Sequence, residues 1–283
     1  MGLKSILSVI CLLYFMIGAG FLYIFLFMLY FIIPFKLFNY LDTKFYSLTQ
    51  RAIIFLYDNL NISKTHFYGD LDALTSYRKE NMIFISNHQS TIDWLIADFI
   101  TARQGGIGRL RFIIGHVFKY IPFFGIYGYM HGYVFVNRNN FNSTILESST
   151  KFMVEKKIPL WLAIFPEGTR MNPEKLNIFN KSCDYAERNG LEPLKYHLTP
   201  RTKGLSLILK NMRNSIDSIL DVTIVFGDKD SVPLDKRKPI PGIDKWHDNV
   251  KSVHIHLERI PISKVPKVDL DKWIYQRFQI KDG

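Results

Sequence analysis

The stretch Asn87-His88-Gln89-Ser90-Thr91-Ile92-Asp93-Trp94 holds an imidazole and a carboxylate five residues apart. Transfer of a group to a hydroxyl needs a base that takes the hydroxyl proton as the new bond forms. Histidine, which titrates nearest neutrality, suits that task. A carboxylate on the other ring nitrogen fixes the tautomer and stabilises the imidazolium. Inside one helix, this spacing separates two side chains by about 140° and roughly 7.5 Å. The pair meets only if His88 sits on the turn before a helix and Asp93 in its first turn. The alternative is structural. Ser90-x-x-Asp93 also fits a helix capping box, and His88 then only satisfies a polar loop.

Three further blocks carry charge at the ends of apolar runs. Phe165-Pro166-Glu167-Gly168-Thr169-Arg170 offers a glycine that lets a ligand approach the backbone and a planar guanidinium suited to phosphate oxygens. Glu167 either orients that guanidinium or meets a substrate hydroxyl. Gly132-Tyr133-Val134-Phe135-Val136-Asn137-Arg138 ends an apolar run in a cation. Leu198-Thr199-Pro200-Arg201-Thr202-Lys203-Gly204 combines two cations with a proline-fixed backbone. Each of the three, alone, reads equally well as a solvated turn or strand end.

The elements that must position these blocks follow from patterning. Met82–Ser86, Tyr133–Val136, Pro159–Phe165, Val222–Phe226 and Val253–Leu257 read as strands. Helical spacing covers residues from Thr91, Phe141–Lys156 and Leu176–Asn189, the last closed by Gly190. Strands alternating with helices predict an α/β domain with a largely parallel sheet flanked by helices. Functional groups in such sheets collect where strands end and helices begin.

Residues 5–35 carry no charge. That run exceeds the roughly 20 residues of a membrane span and the apolar core of a cleaved signal peptide. It predicts a retained N-terminal membrane helix, or a helical hairpin bent near Gly18-Ala19-Gly20. Residues 1–60 then form an anchor region and residues 61–283 the catalytic domain. Lys36, Lys44 and Arg51 follow the run against Lys4 before it, which favours a cytosolic catalytic side. The net charge of +11 fits an anionic partner, and beside this run a membrane surface suits it better than nucleic acid. Lys236-Arg237-Lys238 reads as a solvated or lipid-facing loop. Cys11 and Cys183 lie in apolar and polar surroundings respectively, which argues against a disulfide and for a reducing compartment.

Asn-His-x4-Asp, Gly-x-x-Phe-x-x-Arg, Phe-Pro-Glu-Gly-Thr-Arg and a later proline block, in this order, resemble the signature of the glycerolipid acyltransferases that include lysophosphatidic acid acyltransferases. Phe165–Glu174, Leu194–Lys203, Asp221–Val225, His254–Arg259 and Arg277–Asp282 resemble the 1-acylglycerol-3-phosphate acyltransferase epsilon branch. The resemblance implies a direct, metal-free transfer from acyl-CoA to the sn-2 hydroxyl of lysophosphatidic acid, giving phosphatidic acid. It implies His88 as base and Asp93 as its orienting partner. It implies Glu167, Gly168, Thr169 and Arg170 as acceptor site, Arg138 as a second phosphate or structural contact, and Pro200 in a block linked to acyl-CoA, the co-substrate, with no cofactor. Other lysophospholipids, such as lysophosphatidylinositol or lysocardiolipin, are alternative acceptors. The membrane implied is endoplasmic reticulum, nuclear envelope or mitochondrial outer membrane. Ile114-Gly115-His116 stands where relatives often carry a lysine, and Arg111 and Lys119 are the nearby cations.

Three other classes fit the sequence less well. A serine hydrolase lacks a Gly-x-Ser-x-Gly turn here. His254 and His256, two apart on a strand, read as solvent-face residues and not as metal ligands. A non-catalytic lipid-binding relative fits less well with an intact His88 and Asp93.

Overall fold

The computed structural model describes residues 3–60, 64–75, 80–138, 140–171, 176–230, 232–234 and 250–283. Lys236-Arg237-Lys238 lies outside them. The chain opens with two long helices, α1 (Leu3–Tyr30) and α2 (Phe35–Leu60). Helix α1 runs unbroken through Gly18-Ala19-Gly20, and the expected bend falls instead at residues 31–34. Pro34 explains the position. It has no N–H to continue α1, and its carbonyl accepts from the N–H groups of Leu37 and Phe38 to start α2. Among the described residues no helix is long and apolar enough to cross a membrane. The side chains at positions 3–5, 7–9, 11–16 and 19 fall outside those described.

The strands β1 (Lys64–Gly69), β2 (Met82–Ser86), β3 (Leu110–Gly115), β4 (Val134–Val136), β5 (Trp161–Ile164), β6 (Ser218–Gly227) and β7 (Ser252–Pro261) form one sheet. Its order is β1-β7-β6-β2-β5-β3-β4. Every neighbouring pair is parallel except β6 with β7. Between the strands run the helices α3 (Asp72–Thr75), α4 (Asp93–Arg103), α5 (Phe124–His131), α6 (Ser143–Glu155), α7 (Leu176–Arg188) and α8 (Thr202–Met212). Helix α9 (Leu270–Asp282) follows β7. The expected mixed, mostly parallel sheet with flanking helices is the one observed.

The central strands are apolar throughout because both faces are covered. Along β2, Met82 and Phe84 face a core shared with Tyr23 and Leu26 of α1, Phe38 and Tyr46 of α2, and Ile96 and Ile100 of α4. Ile83 and Ile85 face the other core, with Leu146 of α6, Leu209 of α8 and Phe278 of α9. Each fully buried side chain of this size contributes about 1.5–3 kcal/mol. On β7 only one face is covered. Val253, Ile255 and Leu257 are buried, whereas His256 is exposed and His254 half-buried, as the alternation predicts. His254 Nδ1 meets the Tyr68 hydroxyl at 2.8 Å.

Helix α2 is bound to the sheet by polar groups as well as apolar ones. Asp42 Oδ2 lies 2.7 Å from His131 Nδ1, and His131 Nε2 lies 2.9 Å from the Leu110 carbonyl. The hydroxyls of Tyr46 and Tyr133 meet at 2.9 Å. Arg111 is buried here, its guanidinium donating to the carbonyls of Arg109 and Pro159 and to Asn39 Oδ1. Arg111 is thus a structural cation.

Candidate active site

Strand β2 ends at Ser86, and the turn after it carries His88. Asn87 fixes that turn by acting as one more rung of the sheet. Its amide nitrogen donates to the Ile224 carbonyl at 2.9 Å, and its oxygen accepts the Ile224 N–H at 2.8 Å. Helix α4 begins at Asp93, so the base sits before the helix and the acid at its first residue. His88 Nδ1 lies 2.8 Å from Asp93 Oδ2. A carboxylate has no proton to give, so Nδ1 donates and Nε2 is left to accept.

The same Asp93 oxygen accepts the backbone N–H groups of Gln89 at 2.7 Å and Ser90 at 2.9 Å. The capping and catalytic readings of Asp93 therefore coincide. One buried carboxylate closes the turn and orients the imidazole. The His88 side chain is 17% exposed and Asp93 0%. Phe165 covers one face of the imidazole, with ring centres 4.6 Å apart.

His88 opens onto a cleft of about 1200 Å³, larger than the roughly 300–1,000 Å³ usual for a small ligand. Gly168, Thr169, Arg170 and Arg138 all line it. Gly168 adopts φ +72°, a conformation that favours glycine. Arg138 lies over Gly115, where an added Cβ would be 3.7 Å from its guanidinium carbon. That is an ordinary van der Waals distance, so the Arg138 guanidinium packs against the Gly115 backbone. Burial lowers the pKa of that guanidinium from its ordinary value.

Arg201 and Lys203 also reach the cleft. The Arg201 guanidinium carbon sits 3.8 Å from the Tyr185 ring centre. Among the described residues, none of Arg138, Arg170, Arg201 and Lys203 is ion-paired to a carboxylate. Four unpaired cations beside one base suit a multiply charged anion. The same cleft is also lined by apolar groups, Ile17, Gly20 and Ile53 of the first two helices and Phe118, Ile121 and Phe123 before α5.

Three expected residues stand behind the cleft wall. Asp93 orients the base. Pro200 is buried, and the following Arg201 N–H donates to the Pro166 carbonyl at 2.7 Å. Glu167 is turned away from both Arg170 and the cleft, onto backbone. Its Oε1 accepts the His88 N–H at 2.7 Å and its Oε2 the Leu198 N–H at 3.0 Å. Burial pushes its carboxyl up to about 8, against the two N–H bonds that favour the charge. Tyr185 and Phe165 are wall residues that the sequence does not reveal, because an aromatic side chain carries no mark of the face it lines. Cys183 is a free thiol on α7.

The chain is similar to known proteins in sequence and in fold. A sequence model of the family described as Acyltransferase matches residues 67–225. The chain is 33% identical over 254 residues to 1-acyl-sn-glycerol-3-phosphate acyltransferase epsilon of Mus musculus, covering 89% of this chain and 68% of that protein. It is 29% identical over 231 residues to the probable 1-acyl-sn-glycerol-3-phosphate acyltransferase 5 of Arabidopsis thaliana, covering 81% of this chain and 58% of that one. The fold resembles the crystal structure of the 1-acyl-sn-glycerophosphate (LPA) acyltransferase, PlsC, from Thermotoga maritima, with a TM-score of 0.52 and 17% identity over 98% of this chain and 95% of that one. By the family match and the mouse relative together, the chain belongs to the acyltransferase family, in the lysophosphatidic acid acyltransferase group that includes the epsilon branch.

Proposed function

We propose that this acyltransferase moves a fatty acyl group from acyl-CoA to the sn-2 hydroxyl of lysophosphatidic acid, giving phosphatidic acid. The observation that carries the reading is the His88–Asp93 pair, 2.8 Å apart, with His88 on a cleft lined by both cations and apolar side chains. His88 Nε2 takes the acceptor hydroxyl proton as the hydroxyl oxygen attacks the thioester carbonyl. The carbon–oxygen bond forms, the carbon–sulfur bond breaks, and the proton passes from the imidazolium to the departing CoA thiolate. Asp93 stabilises the imidazolium meanwhile. Thr169, Arg170 and Arg138 meet the glycerol phosphate, and the apolar part takes an acyl chain.

A membrane supplies the acceptor in this reading. Phe25, Met28, Phe31 and Ile32 are exposed along α1 and its turn. Ile121 and Phe123 are exposed while also lining the cleft, so its rim is apolar. These features support a protein seated on or in a bilayer by its first helices.

The test is CoA release from oleoyl-CoA by the purified protein in detergent, with and without lysophosphatidic acid, beside His88→Ala. Release that needs the acceptor and disappears in the variant is expected. Release without acceptor would instead identify a thioesterase. Preference for lysophosphatidylinositol or lysocardiolipin in the same assay would reassign the acceptor.

A further inference from the structure

Helix α9 ends beneath the site and is tied to it by charge. Asp282 accepts the backbone N–H groups of Lys195 and Tyr196, each at 2.6 Å, and lies 3.0 Å from His197 Nδ1. The next residue, Leu198, gives its N–H to Glu167, whose other oxygen holds the His88 N–H. A continuous path of hydrogen bonds therefore joins the last turn of α9 to the base. Its members are Asp282, the 195–198 segment, Glu167 and the His88 backbone.

The neighbouring Lys281 makes a second connection. Its ammonium is buried, 2.5 Å from Asp221 Oδ1 and 2.7 Å from the Val222 carbonyl of β6. Strand β6 pairs with β2, which ends at the base. Glu167 feels two charges in this region. The Asp93 carboxylate raises its hold on a proton, and Lys281 lowers it. Both Glu167 oxygens must be acceptors for the clamp to hold two N–H groups. A proton on either oxygen leaves that oxygen a weaker acceptor.

We infer that Lys281 and Asp282 are positioning residues for the acyl transfer proposed above, holding the His88 loop in place through Glu167 while touching neither substrate. Neither lines the cleft. Asp282 fixes the segment from which Leu198 reaches Glu167. Lys281 weakens the hold of Glu167 on a proton and keeps α9 seated on β6.

The experiment compares wild type with Lys281→Met, Lys281→Arg and Asp282→Asn, each checked by thermal melting, in the oleoyl-CoA assay across pH. Losing one charged partner of such a clamp is expected to lower kcat about 10- to 100-fold, with both KM values within about twofold of wild type. Lys281→Met should also move the rising limb of the pH profile upward, and Lys281→Arg should restore most of it. A folded Lys281→Met protein with the wild-type kcat and pH profile overturns the inference. If Lys281→Met does not fold, Asp282→Asn decides by the same kcat criterion, because its carboxylate lies nearer the surface, 12% exposed.

Wild-type protein without activity on lysophosphatidic acid would sink the acyl-transfer reading and not the positioning one. The rate of His88 modification by diethyl pyrocarbonate, referred to His88→Ala, then reads the position of the ring directly. A changed rate in Lys281→Met supports the inference and an unchanged rate overturns it.

Discussion

Asp93→Asn separates orientation from charge at the base. Three donors converge on Asp93 Oδ2, namely His88 Nδ1 and the N–H groups of Gln89 and Ser90. Two of these are backbone groups, which cannot turn away. The asparagine oxygen must therefore take the Oδ2 position, and its amide nitrogen the Oδ1 position, where Asp93 makes no hydrogen bond. The imidazole keeps its tautomer and direction and loses only its charged partner. With about 4 Å between charge centres and an effective dielectric constant of about 20, that charge stabilises the imidazolium by about 4 kcal/mol, which is about 10³-fold in rate. The expected result is a kcat lowered about 10³-fold, unchanged KM values, and a Tm lower by no more than about 4 °C. Asp93→Ala also strips two backbone N–H groups of their acceptor, at about 1–3 kcal/mol each, and should melt markedly lower. The assay is CoA release at saturating oleoyl-CoA and lysophosphatidic acid. An Asp93→Asn protein that keeps more than about a tenth of wild-type kcat would falsify the charge argument and leave Asp93 only as a helix cap.

Glu167 sets a pH dependence. Burial holds its carboxyl at about 8 in the folded protein, against about 4.3 unfolded. The folded protein therefore keeps a proton that the unfolded chain releases, and stability is lost as pH rises from about 4.3 through about 8. Melting curves of Glu167→Gln should be flatter with pH across that window, and an identical slope in the two proteins refutes the assignment. Transfer itself should quicken between about pH 7 and about pH 9 as Glu167 becomes a full acceptor, a rise that vanishes in Glu167→Gln. Arg170→Ala should raise the KM for lysophosphatidic acid about 10- to 100-fold and that for oleoyl-CoA by less than about threefold; equal effects on both count against a phosphate contact. At Gly20 an added Cβ would fall 2.8 Å from the Phe123 ring. Gly20→Ala should therefore push that ring into the cleft and lower kcat/KM for oleoyl-CoA relative to decanoyl-CoA, and an unaltered ratio shows that this end of the cleft holds no acyl chain.

The parts of the fold legible in the sequence were those whose neighbours hardly matter. Met82–Ser86 and Trp161–Ile164 are apolar runs buried on both faces, and a run of that kind has few other places to go. Helix α2 is hard to read from the sequence because Asp42, Thr49 and Gln50 look like surface residues. They are buried, and Asp42 is matched by a histidine 89 positions away. Strand β1 reads Lys-Thr-His-Phe-Tyr-Gly and owes its place to pairing with β7, far along the chain. In the site, His88 and Asp93 were recognisable because their spacing leaves one way to meet. Glu167 was assigned to the ligand and bonds backbone instead, since the N–H groups it serves carry no residue identity. Arg277–Asp282 stands out in the sequence only through the family resemblance. Its link to the base runs through four segments, which no local pattern records.

The Asn87 amide has a consequence for the order in which the protein forms. Its two bonds reach Ile224, 137 positions away, and the bond that holds the His88 N–H comes from Glu167, 79 positions away. A folding chain that has assembled only β2 and α4 holds the histidine and the aspartate yet lacks the frame that aims them. Contacts between such distant positions form slowly, because long loops must close first. During refolding, transferase activity should therefore return in the same kinetic phase as the complete sheet. Helical signal from α4 should return ahead of both.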